Sequence, residues 1–159
     1  GGIRAPAAQP AAVRYALVDV DSGKPVMFTW ERVLNFETNS APYVQYTHAR
    51  ACSILRKASR EPIKPDYGLL AEKLERELIL AIASFPDMFI EATEYLKPNM
   101  IADYANALAD KINTFYNAYP VIKAENQQLS DARIALTQGI QTVMHNALNL
   151  IGVVAPEKM

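Results

Sequence analysis

Tyr43, Tyr46 and Arg50 are spaced so that, on a helix turning about 100° per residue, two phenol rings and a guanidinium share one narrow stripe. Aromatic faces stack on unpaired bases, and a guanidinium grips phosphate in a bidentate fork, so the stripe is a candidate RNA-reading surface. A second stripe of the same segment, Val44, His48, Ala51, Leu55 and Ala58, is an ordinary core face. The spacing therefore predicts a helix over 41–59 whose second stripe is buried while Tyr43, Tyr46 and Arg50 stand open to water.

Basic residues continue from that stripe. Between 50 and 64, Arg50, Arg56, Lys57, Arg60 and Lys64 are opposed by Glu61 alone, whereas residues 72–94 are predominantly acidic. A formal net charge of −1 argues against gripping nucleic acid by bulk electrostatics, so phosphate contacts have to come from a local ledge. A charge block of this size also forms plain solvated helix faces. Its position directly after an aromatic stripe is what favours the ledge.

Other chemistries find less support. No nucleophile sits beside a base, and Glu72, Glu75, Asp103 and Asp110 read as surface charges on amphipathic helices rather than paired acid–base groups. His48 and Cys52, four apart, could place two metal ligands on one face, but Cys52 is the single cysteine and His145 the only other histidine. A buried, satisfied His48 beside a small apolar Cys52 is the reading, with no catalytic residue, metal or cofactor in this chain. No apolar run approaches a membrane span and no signal peptide is evident, so a cytosolic chain is expected.

The elements that must position these residues read as an antiparallel helical bundle, an all-α fold. Residues 1–11 form an Ala/Pro-rich leader without expected order; 12–39 form a bridge with a turn at 21–23 and a short helix near 30–36; 40–159 form the helical domain. Past Pro62 and Pro65, which interrupt the first long helix, a second opens near the capping candidate Asp66 with Leu70, Leu74, Leu78 and Ile82 at helical spacing. A third runs from Phe85-Pro86 to 96. A fourth opens at Pro98 with Ile101, Tyr104, Leu108, Ile112, Phe115 and Tyr116 assigned to the core. A fifth begins near Ser130 and stops at Gly152. The polar loop 117–129 holds Tyr119, Pro120 and Lys123 at one end of the bundle.

Asn39, Pro42, Tyr43, Gln45, Tyr46, His48, Ala49 and Arg50 together resemble the helix that opens the anticodon-binding domain of arginyl-tRNA synthetases, class I aminoacyl-tRNA ligases. Ala12-Val13-Arg14-Tyr15-Ala16-Leu17 is similar to the "GAIRYAL" segment that ends that family's catalytic domain. Lys24-Pro25-Val26-Met27-Phe28-Thr29-Trp30 matches the stretch after it. Phe85-Pro86, Pro98, Tyr104, Phe115-Tyr116, Val121, Ala132-Arg133 and the ending Gly152, Pro156 and Met159 keep the family's order, with an archaeal flavour. The leader 1–10 departs from the pattern.

The resemblance implies a C-terminal piece of a ligase that joins arginine to tRNA(Arg) using ATP. "HIGH"-like and "KMSK"-like motifs are missing, so ATP with Mg and arginine would belong to a catalytic domain outside this chain. The implied partners are the anticodon stem-loop of tRNA(Arg) and that catalytic domain, with neither DNA nor membrane. The implied RNA-binding residues are Tyr43, Tyr46, Arg50, Lys57, Val121 and Met159. Val121 and Met159 either touch the anticodon loop or serve as a helix cap or bundle seal. Competing expectations are a structural helical domain without base contacts, a stand-alone enzyme, and the similar domain of cysteinyl-tRNA synthetases.

Overall fold

A computed structural model describes residues 8–35, 37 and 39–159. The first helix, α1 (Ala8–Val18), starts inside the stretch expected to be a leader, and Ala11 and Ala12 are buried. Residues 1–7 lie outside the described residues. Tyr15 is 2% exposed and its hydroxyl donates to the Ala102 carbonyl at 3.1 Å, which ties the bridge to the bundle. A four-residue helix, α2 (Trp30–Val33), follows the turn at 21–23; its predicted extension to Phe36 ends on a residue outside those described. Met27 and Trp30 stay exposed, as do Val26 and Phe28.

Ser40 starts α3 (Ala41–Ala58) by accepting the Tyr43 amide through its hydroxyl at 3.2 Å, and Pro42 occupies a first turn where no amide proton is needed. The helix stops at Ser59, whose φ of 52° is left-handed, just ahead of the two prolines. Asp66 does act as a cap, but only for a 3₁₀ turn, Tyr67–Leu69, through its carboxylate at 2.9 Å from the Gly68 amide. The expected second helix begins later, as α4 (Lys73–Ala83), because Glu72 and Glu75 form a reciprocal capping box there.

α5 (Phe85–Glu94) follows without a loop, with Pro86 in its first turn. α6 (Asn99–Ala118) buries Ile101, Ala102, Ala105, Leu108, Ala109, Ile112 and Phe115 at helical spacing. α7 (Gln127–Leu150) starts three residues before the predicted Ser130, since the Asn126 side chain accepts the Leu129 amide at 2.8 Å. Gly152 ends it at φ 68°, where a β-carbon would stand 2.6 Å from the Arg14 guanidinium that donates to the Gly152 carbonyl.

α3 lies between α1, α6 and α7, and α6 also packs on α4 and α5. Leu78, Leu108, Ile112, Phe115, Ile134, Ile140, Met144 and Leu148 fill the common core with essentially no exposure. Each such side chain stabilises the fold by about 1.5–3 kcal/mol through burial. All regular elements among the described residues are helical, as the apolar stripes require.

Candidate nucleic-acid interface

Enclosure of α3 on three sides splits the predicted stripe. Tyr43 and Tyr46 sit about 60° apart around the helix axis, and α6 covers the Tyr43 side. Tyr43 is 8% exposed and donates its hydroxyl to Asp110 at 2.6 Å, so the expectation that it stands in water is corrected. Burial, and then the acceptor Asp110, raise the pKa of the phenol above its ordinary value. Tyr46 is 47% exposed on the open side. Arg50, between them, is half-buried and donates to Asn113 and Asn117 of α6, both at 3.1 Å, with its guanidinium carbon 5.3 Å from the Tyr116 ring centre.

Two abutting grooves open on this side of α3 and share Arg50, Ser53 and Lys57. One, of about 480 Å³, is completed by Tyr46, Ala49, Arg56, Lys158 and Met159. The other, of about 560 Å³, is completed by Ile54, Tyr116 and the loop residues 119–123. Of the predicted site residues, Tyr46, Arg50, Lys57, Val121 and Met159 thus line one continuous depression, and Tyr43 alone lies behind it.

The electrostatics of this depression are one-sided. Arg50, Arg56, Lys57, Lys123 and Lys158 line it, no aspartate or glutamate does, and none of the five takes part in an ion pair among the described residues. Arg60, expected to extend the ledge, is instead drawn away, paired with Asp131 at 2.9 Å and donating to Ser130 at 2.8 Å.

Each wall has its own anchor. The chain after α7 crosses α3 through main-chain carbonyls: Gln45 donates to Val154 at 2.7 Å, His48 Nδ1 to Pro156 at 2.9 Å, and Arg56 to Glu157 at 3.0 Å. A carbonyl only accepts, so the bonded Nδ1 carries the proton. His48 is fully buried, and that burial lowers its basicity below the ordinary imidazole value; Cys52, 3.8 Å away, is likewise buried with its thiol pushed up. These contacts place Met159, 59% exposed, at the groove rim.

The opposite wall hangs on Arg133. Its guanidinium donates to Glu75 at 2.7 Å and to the Pro120 carbonyl at 3.0 Å, and lies 5.0 Å from the Tyr119 ring centre. Glu75 is fully buried, which corrects its reading as a surface charge. Two charges taken out of water hold each other only with close geometry and further hydrogen bonds; the Glu72 amide supplies one at 3.0 Å. Val121 is 6% exposed, its carbonyl accepting from Ser130 at 2.9 Å, and it offers the groove a small apolar wall rather than a projecting side chain.

Tyr116, assigned to the core from its spacing, packs against the core with its hydroxyl buried, and its ring also forms the base of the groove beneath Arg50. The helical spacing that assigned it to the core carries no mark of its second contact, with Arg50. Lys158 was signalled only by its neighbour Met159, and Tyr119 and Lys123 by the polar loop that carries them.

The family described as "DALR anticodon binding domain" matches residues 44–159. Arginine–tRNA ligases of Ignicoccus hospitalis and Pyrococcus furiosus are 46% and 44% identical over 149 and 156 residues, in each case 93% of this chain. The chain spans about a quarter of their length, 24% and 25%. The solved structure of Thermus thermophilus arginyl-tRNA synthetase superposes with a TM-score of 0.90 at 36% identity, covering 96% of this chain and 27% of that one.

Proposed function

From the premise that the chain belongs to the DALR anticodon-binding domain family, we propose that it holds the anticodon stem-loop of tRNA(Arg) as one part of a longer arginine–tRNA ligase. The observation that carries the reading is the double groove lined by five cations and no aspartate or glutamate, beside an exposed tyrosine. Sequence-specific RNA readout takes loop bases out of the stack, and such bases need an aromatic platform with positive charge near the backbone.

Tyr46 is the stacking platform; Arg50 and Lys57 hold backbone phosphate; Val121 and Met159 bound the space a splayed base occupies. Residues 12–39 bridge toward the catalytic portion, which binds ATP with Mg and arginine. Binding energy realised at the anticodon positions the acceptor end for chemistry elsewhere in the enzyme.

A titration of the chain with a tRNA(Arg) transcript and with an unrelated tRNA tests the reading. Tight binding with preference for tRNA(Arg) is expected, and Tyr46→Ala is expected to weaken it by about 1–3 kcal/mol, the contribution of one stacked base. Equal, weak binding of both RNAs would leave a structural helical domain as the function. Undiminished binding by Tyr46→Ala would remove the proposed platform.

A further inference from the structure

We infer that Asn113 and Asn117 are positioning residues that hold the Arg50 guanidinium ready for an RNA phosphate, and that Tyr43 acts on Arg50 through Asn113. The inference rests on the RNA reading of the grooves.

Asn113 and Asn117 lie one turn apart on α6, so both side-chain carbonyls reach the same flank of α3. Each accepts one Arg50 amino group at 3.1 Å, and the Tyr116 ring lies against the guanidinium. Two fixed bonds and one stacked face determine both the place and the tilt of a planar fork. No other hydrogen bond among the described residues uses the fork, so its Nε proton and one proton on each terminal nitrogen remain for a ligand.

Every holding group is neutral. Arg60 and Arg133 are held by Asp131 and Glu75, and their charge is cancelled there. Arg50 is held by amides, which satisfy part of the fork and leave its charge intact. A cation fixed without neutralisation, opening on grooves lined by no aspartate or glutamate, is suited to an anion.

The orientation of Asn113 is dictated from behind. Thr47 Oγ1 donates to the Tyr43 carbonyl at 3.0 Å, and the Tyr43 hydroxyl donates to Asp110 at 2.6 Å, so each hydroxyl proton is committed. Both oxygens can then only accept, and the Asn113 amino group donates to them at 2.9 and 3.3 Å. The amide oxygen must therefore face Arg50; a flipped amide would set donor against donor at Arg50 and acceptor against acceptor at the two hydroxyl oxygens. This explains why the buried residue 43 carries a hydroxyl, where a phenylalanine would fill the same space.

Titrations with the anticodon stem-loop of tRNA(Arg) over a range of KCl concentrations test the assignment. Asn113→Asp keeps the shape but sets a carboxylate against the guanidinium. It is expected to weaken binding about tenfold and to reduce the slope of log K against log salt by about 0.7, one phosphate on a single strand. Arg50→Gln is expected to do the same, with little further loss in the double variant.

Tyr43→Phe, which keeps the ring, is expected to lose several-fold; binding equal to the parent would overturn the relay. An unchanged affinity and slope for Asn113→Asp would overturn the positioning role. A loss of tRNA preference at unchanged slope would put a base edge where the phosphate is assigned, and overturn that part. In the RNA-free chain, nitrogen NMR is expected to show hindered guanidinium rotation at Arg50 that averages out in Asn113→Ala, and averaging already present in the parent would overturn the hold. A parent that binds no RNA overturns the RNA reading and the phosphate with it, and the free-chain spectrum separates that failure from failure of the hold.

Discussion

Glu75 and Arg133 show how much depends on one pair of side chains. They are 58 residues apart in sequence, 2.7 Å apart in space and almost without exposure. Removing one partner leaves the other buried and uncompensated, so Glu75→Ala is expected to cost about 3–5 kcal/mol of stability, whereas Glu75→Leu with Arg133→Met should recover most of it. Urea unfolding midpoints of the two variants check this. Because Arg133 also holds Pro120 and stacks on Tyr119, the double variant is expected to lose order in the groove wall while remaining folded.

Among the elements, the extended segment after α7 is anchored in part on a titratable side chain that is fully buried. His48 carries a proton on Nδ1, which it donates to the Pro156 carbonyl, and burial of the ring disfavours its charged form. Burial is the main cause of its lowered basicity; the hydrogen bond to Pro156 opposes it, His145 adds to it, and Glu157 opposes it least. Below the ordinary value of 6.5 the unfolded chain takes up a proton that the native chain refuses, so stability falls as pH drops until the native imidazole is also protonated. Thermal melts from pH 7.5 down to pH 5.5 are expected to show this fall in the parent. His48→Asn, whose amide reaches the same carbonyl without titrating, should show a flatter profile; identical profiles would mean that another group carries the dependence.

For the whole molecule, the formal charge of −1 conceals a division of labour. The paired cations Arg32, Arg60, Lys73, Lys111 and Arg133 serve the fold, and the five groove cations form no ion pair among the described residues. If each of those five met one phosphate, log K would fall with log salt at a slope of about 3.5, so a fourfold rise in salt lowers affinity about a hundredfold at most. A steeper dependence, measured with the tRNA(Arg) stem-loop, would require basic surface beyond the grooves.

Helix boundaries were legible wherever a local device sets them: Ser40 and Pro42 at α3, Phe85-Pro86 at α5, Gly152 after α7. They slipped where a rival cap lay nearby, as Glu72 and Glu75 did to Asp66, and Asn126 to Ser130. The apolar stripes and the candidates Tyr46, Arg50 and Lys57 followed from local order and spacing, because periodicity is a property of neighbouring residues, whereas Val121 and Met159 came from the family resemblance. Which side of α3 meets water did not. That choice is made by α6 lying against Tyr43 and by the segment 153–159 lying across His48, contacts between residues some 67 and 108 positions apart. A stripe on a helix names the residues that share a face; only the packing of other helices decides whether that face is covered.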